Sequence, residues 1–65
     1  MAVSDIKKNE MFRLWLYRSR GIKTSCVYRK IEYNRKKRSW LCEIVNDNYR
    51  QVYIESGREV AEVII

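Results

Sequence analysis

The 65-residue chain contains no histidine, no proline, two glycines and two cysteines. Without histidine it lacks the commonest general acid–base side chain and any group that titrates near neutral pH. Two cysteines without histidine cannot complete a tetrahedral zinc site, so neither a metal nor a cofactor is expected. Ser4, Ser19, Ser25, Ser39 and Ser56 have no imidazole to activate them, and no glycine-rich phosphate loop occurs. A non-enzymatic protein is expected. The longest apolar run is Leu14–Tyr17, far short of the roughly 20 residues of a membrane-spanning helix. The polar first ten residues do not read as an export signal. The cysteines are therefore expected as free thiols and the compartment as cytoplasmic, or nucleoid or nuclear if the protein holds nucleic acid.

What is present is a basic, fairly apolar chain. Hydrophobic residues make up 46% and charged residues 34%, too apolar for a disordered tail. The length allows one small domain, read as a polar segment over 1–10 and a single β-rich domain over 11–65. Charge is segregated along the chain. Residues 1–38 hold twelve basic side chains and three acids, while residues 39–65 hold two against five, together a net +6. Such segregation suggests a basic face built for a polyanion.

From Met11 onward, β-branched and aromatic residues alternate with short polar clusters, a strand-and-turn rhythm. Phe12, Leu14 and Leu16 repeat at a period of two. Ser19-Arg20-Gly21 can close a hairpin with Gly21 left-handed. Strands are expected over 22–33, 40–45 and 49–55, joined by the charged loop Asn34–Arg38 and a tight turn at Asn46-Asp47-Asn48. Ser56-Gly57-Arg58-Glu59 fits a capping box, and Val60, Val63 and Ile64 share one helical face. The expected fold is α+β: a three- to four-stranded antiparallel meander with a short C-terminal helix on one face. A fifth strand at 60–64 would instead give a small SH3-like β-barrel. Residues 4–17 read either as a helix or as a helical turn followed by a strand.

Hairpin registers place side chains on faces. Pairing across 34–38 sets Ile31 opposite Leu41, Lys30 opposite Cys42 and Arg29 opposite Glu43. A two-residue turn at Asp47-Asn48 then sets Leu41 opposite Ile54. One face becomes aliphatic, with Val27, Ile31, Leu41, Val45, Val52 and Ile54. The other presents Tyr28, Lys30, Trp40 and Tyr53 beside the basic loop, a combination suited to stacking bases and holding phosphates. Cys26 and Cys42 lie too far apart on these registers for a disulfide.

The stretch Trp40 to Ile65, read as two strands and a capped helix, loosely resembles the end of three-stranded-sheet-plus-helix DNA-binding domains of the AP2 and integrase arm-binding kinds. The resemblance covers 26 residues, rests on architecture and transfers no residue roles. The leading expectation is a small nucleic-acid-binding protein, DNA ahead of RNA. Its candidate residues are Lys30, Arg35, Lys36, Lys37, Arg38, Arg20, Lys23, Tyr28, Trp40 and Tyr53. The alternative is a protein-interaction module, such as a viral or phage-type inhibitor or modulator docking on an acidic surface of a host protein. A homodimer through an edge strand at 12–17 fits both.

Overall fold

A computed structural model of the chain describes residues 1–16 and 21–64. Five strands follow one short 3-10 turn at Val3–Asp5: β1 Met11–Leu14, β2 Tyr28–Asn34, β3 Ser39–Ile44, β4 Arg50–Glu55 and β5 Val60–Ile64. They form one antiparallel sheet in the order β4-β3-β2-β1-β5. The expected C-terminal helix is corrected to a strand. Val60, Val63 and Ile64 are β-branched, and pairing with β1 outweighs the local capping signal. The resemblance to sheet-plus-helix DNA-binding domains falls with that helix. Among the described residues no pairing joins β4 to β5, so the sheet is open rather than a hydrogen-bonded closed barrel.

The opening of the chain is also a strand, since residues 11–14 pair on both sides with β2 and β5. That makes β1 interior to the sheet, not an edge. The loop expected at Ser19-Arg20-Gly21 depends on residues outside the described ones. On either side of it, Leu16 N–H donates to Ile22 O and Thr24 N–H to Leu14 O, so the chain does fold back there.

The core is built on one face of the sheet and closed by the N-terminal segment. Val3, Ile6, Phe12, Leu14, Cys42, Ile54 and Val60 are buried together, with Tyr28, Trp40, Val52 and Val63 packed against them. The polar opening residues are held by backbone bonds, Val3 N–H to Arg58 O and Ser4 N–H to Ser56 O. Two local features decide which side chains face inward. A bulge at Ile31 shifts β2 against β3, so Arg29 meets Glu43 and Lys30 meets Cys42 as expected, but Tyr33 meets Trp40. The β3–β4 connection uses five residues, 45–49, so Leu41 pairs with Tyr53 rather than Ile54.

A one-residue slip moves a strand's whole side-chain set to the other face. The expected faces are therefore corrected. Tyr28, Lys30, Trp40, Cys42 and Ile44 turn inward beside Val52 and Ile54, while Leu41 and Tyr53 turn outward.

Candidate nucleic-acid interface

The β2–β3 connection is a four-residue loop, Arg35-Lys36-Lys37-Arg38, closed by the Asn34–Ser39 pair. Asn34 and Ser39 shape it. The Asn34 Oδ1 accepts from Lys37 N–H at 2.9 Å, and the Ser39 hydroxyl donates to Lys37 O at 3.0 Å. Arg38 closes the loop at φ 51°, in the left-handed region. That position favours glycine because a Cβ crowds the following carbonyl. All four basic side chains are exposed. Lys37 lies over the Tyr53 ring, Nζ 4.6 Å from its centroid, on the outer face of β4. Among the described residues no carboxylate pairs with Arg35, Lys36, Lys37 or Arg38.

The other cations are mostly neutralised where they stand. Arg13 and Lys23 both reach Glu62, at 3.2 and 3.4 Å. Arg29 pairs with Glu43 directly across the β2–β3 ladder, and Arg50 with Asp47 at 3.0 Å. The acids of the second half thus fold onto cations of the first, because antiparallel pairing brings distant sequence together. Charge segregated along the chain is largely mixed in space, and the unpaired remainder collects at the β2–β3 tip. Lys7 and Lys8 join it as exposed cations without an ion pair among the described residues. They lie between Ser4, bonded to Ser56 O, and Asn9, bonded to Lys30 O, toward the tip end of the sheet. Sequence reasoning missed them because nothing local ties residues 7 and 8 to residues 35–38.

Three expected site residues are inside instead. Lys30 is 2% exposed. Its ammonium donates to Val3 O at 2.9 Å and Ile6 O at 2.5 Å, and sits 3.6 Å from the Trp40 ring centroid. Burial pushes its pKa down, opposed by the nearby Cys42, Asp5 and Glu10. Trp40 and Tyr28 pack against the core, Tyr28 stacking on Phe12 at 5.7 Å. Lys23 is exposed but paired with Glu62. Tyr53 is exposed beside the tip, and Arg20 lies outside the described residues. The structure therefore gathers Arg35, Lys36, Lys37, Arg38 and Tyr53, and separates Lys30, Tyr28, Trp40 and Lys23 from them.

Both cysteines are free, Cys42 in the core with its thiol pushed up to about 11 by burial. No cluster of His, Cys, Asp or Glu suited to a metal occurs among the described residues, and no helix there is long and apolar enough to cross a membrane. No protein-family model, curated protein or solved structure matches the chain.

Proposed function

We propose that this is a small non-enzymatic nucleic-acid-binding protein that grips phosphates through the β2–β3 tip, with DNA the first ligand to test. The observation carrying this reading is the tip itself: four consecutive exposed cations without a carboxylate partner among the described residues, on a molecule whose other strand cations are largely paired. A compact unpaired cluster is what releases counterions from a nucleic-acid backbone. Tyr53 beside it offers one exposed ring for a base, with Lys37 already at its face. Lys30, Tyr28 and Trp40 have no part in this interface.

The test is fluorescence anisotropy with labelled duplex DNA, single-stranded DNA and RNA across a salt series. Wild type should bind with affinity that falls as salt rises. Replacing Arg35, Lys36, Lys37 and Arg38 by Gln should weaken binding to every sequence alike. It should also flatten the salt slope by about 0.9 for each duplex phosphate that is no longer neutralised. A wild type without salt-dependent affinity near physiological ionic strength overturns the reading. Docking of the same basic tip on an acidic protein surface would then be the reading to test.

A further inference from the structure

The two ends of the sheet are finished differently. At β5, Val60 N–H donates to Met1 O and Glu59 bridges Ala2, so the N-terminal segment covers where that strand begins. Its ladder with β1 also carries a register shift between Arg13 and Leu14. Bulges and covering segments are how proteins keep exposed strand edges from pairing. The open stretch of β2 beyond β1 has the same protection in its Ile31 bulge.

β4 has none of this. Its six residues, Arg-Gln-Val-Tyr-Ile-Glu, pair with β3 without a register shift and have no strand on the other side. They include no proline or glycine, and Val52-Tyr53-Ile54 at the centre are strong strand formers. The strand is also self-complementary in one direction only. Arg50 stands at its start and Glu55 at its end, both exposed. A second copy running antiparallel brings each Arg50 end against a Glu55 end, whereas a parallel copy sets like charges side by side. Antiparallel pairing also satisfies the twofold symmetry of a closed dimer.

We infer that β4 is a dimerisation edge, pairing antiparallel with β4 of a second copy to continue the sheet across a twofold axis. The inference is independent of nucleic-acid binding. An edge-to-edge contact of six residues is a small interface, and each copy carries +6. The dimer should therefore be weak and form at high micromolar concentration.

Sedimentation equilibrium near 0.15 M salt tests it, with circular dichroism checking the fold of each variant. Wild type should pass from monomer to dimer as concentration rises. Arg50→Glu alone and Glu55→Lys alone should each weaken the dimer by about tenfold, because the symmetry repeats every mismatch. The double variant Arg50→Glu/Glu55→Lys should regain most of the loss. A wild type that stays monomeric throughout overturns the inference, as does a dimer that neither single variant weakens or that the double variant does not rescue.

Discussion

Arg38 holds a left-handed conformation at a loop position that glycine fills at no steric cost. Keeping an arginine there costs about 1 kcal/mol in backbone strain. The side chain donates no hydrogen bond among the described residues that would offset this. Such strain concentrates where a side chain is needed for something other than stability. Arg38→Gly should accordingly keep the protein at least as stable in a thermal melt, gaining up to about 1 kcal/mol. The same variant should bind nucleic acid more weakly, because one phosphate loses its cation. A loss of stability on this substitution would mean that Arg38 is structural, and would remove the trade-off between strain and binding. Lys30 is the converse case. Its charge is committed to two carbonyls and an aromatic ring inside the fold, so it holds the N-terminal segment onto the sheet.

At the scale of elements, β5 shows how a long-range partner overrules a local signal. Val63 pairs with Phe12 across the β1–β5 ladder and packs against the core. Val63→Asp places an unpaired carboxylate there, at a cost of several kcal/mol from a stability of about 5–15. It should unfold the domain or lower its melting temperature sharply. Glu62→Gln, next in the same strand but in exposed ion pairs, should cost under about 1 kcal/mol. An unchanged melting temperature for Val63→Asp would mean β5 does not cover the core. The apolar character of Val60 and Val63 was legible in the sequence, as were the strand cores around Arg29–Glu43 and the 34–38 loop. What was not legible were two backbone details: the Ile31 bulge, and a β3–β4 turn with both Asn48 and Tyr49 at positive φ. Asparagine advertises that conformation and tyrosine does not. One added residue at each place exchanged the inner and outer faces, and with them the expected positions of Leu41, Trp40 and Tyr53.

At the scale of the whole molecule, net charge and placed charge make different claims. If a net +6 alone drew the protein to nucleic acid, any three cations would contribute alike. If the tip is the site, only its cations matter. Two triple variants of equal net charge separate these cases. The first replaces Arg35, Lys36 and Arg38 by Gln and leaves Lys37 on the Tyr53 ring. The second replaces Lys23, Arg29 and Arg50 by Gln, each already paired with a carboxylate. Those pairs are partly exposed and contribute roughly 0.2–1 kcal/mol each, so the second variant should stay folded. It should also bind nearly as wild type does, because its cations were already neutralised by acids. The tip variant should bind every duplex more weakly and flatten the salt slope by about 0.9 for each phosphate its missing cations had neutralised. Anisotropy titrations at two or more salt concentrations decide between them. Equal slopes for the two variants would show that diffuse net charge governs binding and that the tip has no special role.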